Sequence, residues 1–173
     1  DSKDEIVSKI THFILQEQKP DGSFAGGVDI VAAAIQTLSL VKDIEGVSEA
    51  IARAKEYILS QQQADGGFGN PDSTSWVLQA IAALGEDWRG WQKNGKTPGE
   101  YLLLFQKYDG NLESANPIWS TAYAVSATLG KSWGMILQDF EKPPLFRIVQ
   151  HLEQIVKSIE KLQAQITGLW IIQ

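Results

Sequence analysis

The sequence predicts an all-α protein: three helical hairpins stacked side by side, then one long C-terminal helix. Three observations predict it. A short motif returns at a fixed interval, as QKPDGSF at 18–24, QQADGGF at 62–68 and a looser QKYDGNL at 106–112. Its leading Gln falls at 18, 62 and 106, so both intervals are 44 residues (62 − 18 and 106 − 62), the signature of a repeat architecture. The segment before each motif carries a helical apolar stripe, and the segment after it is apolar or small nearly all round.

Superposing the copies places Ile6 over Ala50, Ile10 over Ala54, Phe13 over Tyr57 and Tyr101, and Ile14 over Ile58 and Leu102. These positions step by 4, 3 and 1, one stripe of an amphipathic helix, so each helix before a motif is expected to bury one face. The third such helix also carries start signals. Thr97-Pro98-Gly99-Glu100 offers a capping hydroxyl, a Pro at the first helical position and a Glu three residues after the cap, which predicts a helix over about 98–107. Each Asp-Gly pair then stops its helix, because Gly tolerates the left-handed exit.

After the turns come DIVAAAIQTLSL at 29–40, DSTSWVLQAIAALG at 72–85 and NPIWSTAYAVSATLG at 116–130. Each opens on a capping residue and lacks a polar face, which predicts an inner helix buried on every side. Such a helix cannot be buried by its own hairpin. Stacked neighbours supply the missing partner, giving a curved, two-layered array over residues 1–135.

At Pro143-Pro144 the period ends. From Leu145 onward, Ile148, Leu152, Ile155, Ile159, Leu162, Ile166 and Leu169 alternate steps of 3 and 4, a heptad stripe within a helix over 143–173. Val149 and Val156 widen the stripe, so packing on the first domain and pairing between chains are both open. The apolar finish GLWIIQ is read as the start of a longer segment.

The composition sets outer bounds. With 21 acidic against 15 basic residues and no basic run, nucleic acid and anionic membranes are poor partners. No cysteine is present, so disulfides, thiolate metal sites and a Cys nucleophile drop out. No secretion-signal pattern opens the chain, and no apolar run reaches the ~20 residues of a membrane span. The compartment is not legible; a secreted or surface protein with its signal removed fits.

The Q-x-x-D-G-x-F copies resemble the QW repeats of the terpenoid cyclase and protein prenyltransferase superfamily, over roughly residues 5–133. The resemblance implies an α/α toroid of inner and outer helices, here a half-toroid, since a closed ring of that family takes about six hairpins. It also implies that Gln18, Gln62 and Gln106, with Asp21, Asp65 and Asp109, tie adjacent helix ends together by hydrogen bonds. Two chains completing one ring, an open half-ring and a piece of a longer protein are all compatible with three hairpins.

Chemistry is sparse. Cyclases of this superfamily carry an acidic D-x-D-D motif at the start of an inner helix. The matching stretch is Asp72-Ser73-Thr74-Ser75, with one carboxylate, so Asp72 is a weak candidate acid and a better helix cap. The superfamily's zinc site needs a Cys this chain lacks, and His12 and His151 lie far apart, so neither a metal nor a cofactor is expected. There is no nucleophile elbow or phosphate loop, and GGFG at 66–69 follows a helix, not a strand.

Aromatic residues remain. Trp76, four residues after Asp72, with Trp119 and Tyr123 one turn apart, would face the mouth of the array as core packing or as the lining of an apolar ligand site. Trp88 and Trp91 occupy the longest connection, and Trp133 in GKSW repeats the place of Trp88 in GEDW, which suggests repeat packing or a surface contact.

The leading expectation is a non-catalytic binding or assembly module that self-associates through the toroid edge or the C-terminal helix. Two alternatives stand beside it. One is an isoprenoid cyclase with Asp72 as general acid and Trp76, Trp119 and Tyr123 as cation-stabilising faces; the other is a carrier of a small apolar or cobalamin-like ligand.

Overall fold

The computed structural model describes residues 2–138, 152, 154–161 and 163, and the chain divides into two compact units, Asp1–Gln138 and Asp139–Gln173. The protein is all-α. The first unit contains α1 (Lys3–Gln16), α2 (Val28–Leu38), α3 (Val47–Gln61), α4 (Pro71–Leu84), α5 (Pro98–Leu103), α6 (Pro117–Thr128) and α7 (Trp133–Gln138), with a 3-10 turn at Trp88–Gly90.

Local chemistry sets the helix starts. Ser2 and Glu5 form a reciprocal capping box on α1, and Thr97 and Glu100 form another on α5. Asn70 and Asn116 cap α4 and α6 through their side chains, each followed by a Pro that already has a helical φ. Asp72 therefore sits in the first turn of α4, but Asn70 is its cap.

Helices α2, α4 and α6 lie in a row with α4 in the middle, while α3 packs on α2 and α5 on α4. Each outer helix thus covers the inner helix of the preceding hairpin. Ile35, Leu38, Ile58, Val77 and Ile81 are sealed in the resulting core. Small residues in α4, among them Ser73, Ser75 and Ala80, let the neighbours come close.

Several expectations change. Burial on every side holds for α4; α6 and α2 are each open along one side, where Ile118, Val125 and Leu129, and Ile30, are exposed. The stripe on α3 is buried at Ala50 and Ala54, but their counterparts on α1, Ile6 and Ile10, are exposed, as is Phe13, whose counterpart Tyr57 is half-buried; among the described residues no inner helix packs on that face of α1. The helix expected over 98–107 stops at Leu103. Its next backbone groups are taken by the turn: Glu113 N–H donates to Phe105 O at 2.8 Å, and Lys107 N–H donates to Asn111 O at 2.8 Å. The inner helices also drift from the 44-residue period, since their caps Gly27, Asn70 and Asn116 stand 43 and 46 residues apart.

In the second unit, residues 154–161 are helical, and Leu152, Ile155, Val156 and Ile159 are exposed. Leu145, Ile148, Val149, Leu162, Ile166, Leu169 and the GLWIIQ end lie outside the described residues.

Candidate functional site

The three turns share a backbone and differ in what faces them. Asp21 Oδ1 accepts from Ser23 N–H, Asp65 Oδ1 from Gly67 N–H and Asp109 Oδ1 from Asn111 N–H, at 3.0, 3.0 and 3.2 Å. Among the described residues, then, Asp21, Asp65 and Asp109 each close their own turn, where the resemblance implied a tie between adjacent helix ends. The Ser23 hydroxyl and N–H hold the Asp21 carboxyl below its usual range.

The glutamines reach further. Gln18 Nε2 donates to Gly22 O in its own turn and to Ala50 O in α3, at 3.2 and 2.8 Å. Gln62 Nε2 donates to Gly66 O and to Trp91 O, at 3.0 and 3.1 Å. Both amides join a turn to the backbone of the next unit. Gln106, at the same place in the third copy, is exposed, and among the described residues its side chain makes no such bond.

The turn glycines give the same contrast. Gly22, Gly66 and Gly110 have φ of 85°, 87° and 88°. A Cβ at Gly22 would stand 2.2 Å from Arg53 O, and one at Gly66 2.6 Å from Thr97 O; one at Gly110 would meet nothing within 4 Å. The first two turns are closed by the backbone of the next repeat, whereas the third has the same conformation with nothing against its glycine among the described residues.

Beside the third turn runs an apolar groove of about 130 Å³ between α5 and α6, lined by Leu102, Leu103, Gln106, Gly110, Val125 and Thr128. Along α6, Ile118, Ala122, Val125 and Leu129 recur at steps of 4, 3 and 4 and are all exposed. By cap register, 46 residues earlier, the same stripe on α4 reads Asp72, Trp76, Gln79 and Ala83. That stripe meets α6: Gln79 Nε2 donates to Tyr123 O at 3.1 Å, and the rings of Trp76 and Tyr123 lie 5.2 Å apart.

The aromatic residues singled out in the sequence are brought together. Trp119 and Tyr123 meet edge to face at 5.0 Å, and Trp133 joins them, 6.2 Å from Trp76 and 6.4 Å from Tyr123. Trp133 does not repeat the packing of Trp88, whose ring lies against Gly99 and under the Arg89 guanidinium. It arrives because α7 returns to α2 and α4, where Trp133 N–H donates to Gln36 Oε1 at 2.9 Å. Trp91 is buried, with its indole N–H on Glu86 and Lys55 over its ring.

Asp72 flanks this cluster. Its Oδ1 is buried without a hydrogen-bond partner, as are Ser75 Oγ and Gln79 Oε1 on the same side of α4. Burial, then the charge of Asp72, pushes the Tyr123 hydroxyl above its usual range, so it stays a neutral donor. Asp29 Oδ1 accepts from Ser73 Oγ at 3.3 Å, which brings a second carboxylate to the start of α4 that the D-x-D-D comparison missed. The signal for the buried polar line was present as Gln36 and Gln79, single amides inside apolar runs. His12 is exposed and pairs with Ser8 O, and His151 lies outside the described residues. Among the described residues no three His, Cys, Asp or Glu side chains gather where they could hold a metal, and no helix is long and apolar enough to cross a membrane.

No protein-family model, curated protein or solved structure matches the chain.

Proposed function

We propose that this protein is a non-catalytic binding or assembly module on a scaffold resembling the α/α toroid, and that it binds through the open edge formed by α5, α6 and the third turn. One observation carries the reading. Gln106 and Gly110 keep the sequence and backbone of the two closed turns, yet nothing among the described residues occupies the place that α3 and the 91–97 segment fill in the first two. A repeat face left uncovered in a stack is expected to be polar, and here the exposed stripe along α6 is Ile118, Ala122, Val125 and Leu129.

The cyclase alternative asks Asp72 to donate a proton to an alkene. Its sequence neighbours are Ser73, Thr74 and Ser75, the nearby second carboxylate of Asp29 is taken by the Ser73 hydroxyl, and the four rings beside it pack on one another at 5.0 to 6.4 Å, which leaves their mutual faces filled. Incubating wild type and Asp72→Ala with geranylgeranyl diphosphate, and looking for hydrocarbon or cyclised products, tests the reading. No product is expected from either; a product from wild type that Asp72→Ala abolishes would overturn the non-catalytic reading.

The half-exposed outer face of Trp119 and the unpartnered Asp72 oxygen favour a second reading, a carrier of a small apolar ligand with one donor group. It requires a co-purifying small molecule in native mass spectrometry, together with quenching of Trp fluorescence on rebinding.

A further inference from the structure

We infer that the partner on this open edge is a second copy of the chain, docked head to tail, with its first hairpin, α1 and α2, laid over α5, α6 and the third turn. This rests on the assembly reading and names its partner.

The packing order of the first unit defines what the edge lacks. Helix α3 covers α2, and α5 covers α4, so α2 and α4 each receive two helices from the hairpin that follows, an outer one on top and a further inner one alongside, α4 beside α2 and α6 beside α4. Among the described residues α6 receives neither. Its missing neighbours are an outer helix with an uncovered apolar face and an inner helix with an uncovered apolar side.

The first hairpin has both. On α1 the uncovered face is Ile6, Ile10 and Phe13, the residues that stand 44 places before Ala50, Ala54 and Tyr57 of α3. On α2 the open side includes Ile30, Ala33, Ala34 and Thr37, which with Phe13 and Phe24 line an apolar hollow. Within the chain, Ala50 and Ala54 are the positions where α3 presses on the first turn and takes the Gln18 bond through Ala50 O. Helix α1 presents larger side chains at those positions, and the edge opposite offers the groove between α5 and α6. The proposed interface continues the two internal ones, α2 with α4 and α4 with α6, by one more step.

The contact joins two different surfaces, so it propagates until it closes on itself. Closure with two copies covers the exposed α1–α2 face and the exposed α5–α6 edge of each copy.

Sedimentation velocity on wild type, Ile10→Arg and Val125→Arg across the micromolar range tests the inference. Both positions are half exposed, so each substitution should leave the fold intact by circular dichroism. Wild type is expected to associate, each variant alone to sediment as a monomer, and an equimolar mixture of the two to recover a dimer. Recovery follows because the intact α1 face of Val125→Arg meets the intact α6 face of Ile10→Arg. A monomeric wild type would overturn the second copy while leaving the non-catalytic reading standing, which only isoprenoid turnover removes. Association that survives both substitutions would place the contact elsewhere, for example on the exposed stripe at Ile155 and Ile159, and would also overturn it; loss in one variant without recovery on mixing would point to a like-with-like interface and do the same.

Discussion

The turns at 62–68 and 106–112 share a motif, a backbone path and a left-handed glycine, yet one is buried under the following segment and the other is uncovered among the described residues. Around the first, Gln62 is bonded on both sides of the junction, Gly66 lies against the Lys96 and Thr97 backbone, and Tyr101 covers Gly67. Around the second, Gln106 is exposed and Gly110 faces open space. The same local code is thus compatible with two fates, and the fate is decided by what packs next.

Alanine at the two glycines should break the comparison most sharply. At Gly110 it costs only the left-handed strain, about 1–2 kcal/mol. At Gly66 it adds a forced shift of the neighbouring backbone, about 1–3 kcal/mol more, for roughly 2–5 kcal/mol in all. Urea unfolding of both variants measures the difference, and equal losses would mean that the junction at 66 is not closed.

The glutamines give a smaller contrast of the same kind. Gln62→Ala leaves two carbonyls without their donor in a buried place and should cost about 1–3 kcal/mol. Gln106→Ala, on an exposed residue, should stay within about 0.5 kcal/mol. Arg53 Nη2 also donates to Gln18 Oε1, so Gln18→Ala is expected to fall between the two.

Truncating Trp133 to Ala removes two ring contacts and should cost about 1–2 kcal/mol. It should also raise the exposure of Trp76, read as a red shift in emission. An unchanged spectrum would detach α7 from α2 and α4.

The smallest expected effect is a pH slope at the closed junction. Burial pushes the Glu86 carboxyl up, but hydrogen bonds from Lys55 and Trp91 outweigh it and hold the group below its ordinary 4.5. A carboxyl depressed on folding contributes stability that is present above 4.5 and lost as the pH falls through the folded value. Glu86→Gln should therefore flatten part of the fall in urea midpoint below pH 4.5, and an unaltered slope would remove Glu86 from the junction. Asp21 and Glu100 are depressed in the same direction and act on the same side of neutrality.

Much of the fold was legible because it is local. The Thr97 and Glu100 capping box, the prolines at 71, 98 and 117 and the Asp-Gly turns follow from neighbours within four residues. The end of α5 was not, since the Gln106 to Leu112 bridge competes for the backbone that a longer helix would use. Neither was the exposure of Ile6, Ile10 and Phe13, because periodicity reports that a face is apolar and not whether a partner covers it. Of the aromatic cluster, helical spacing brought Trp119 to Tyr123 and register brought Trp76. Trp133 was beyond reach, since its anchor, Gln36, lies 97 residues away.

Hydrogen exchange of the wild-type protein at rising concentration reports directly on whether the third turn is an unfilled junction. Amides of 62–68 should be protected at every concentration, while those of 106–112 and α6 should exchange freely when dilute and gain protection together with α1 as the protein is concentrated. Protection of 106–112 and α6 that matches 62–68 when dilute, or that never rises with concentration, would contradict it.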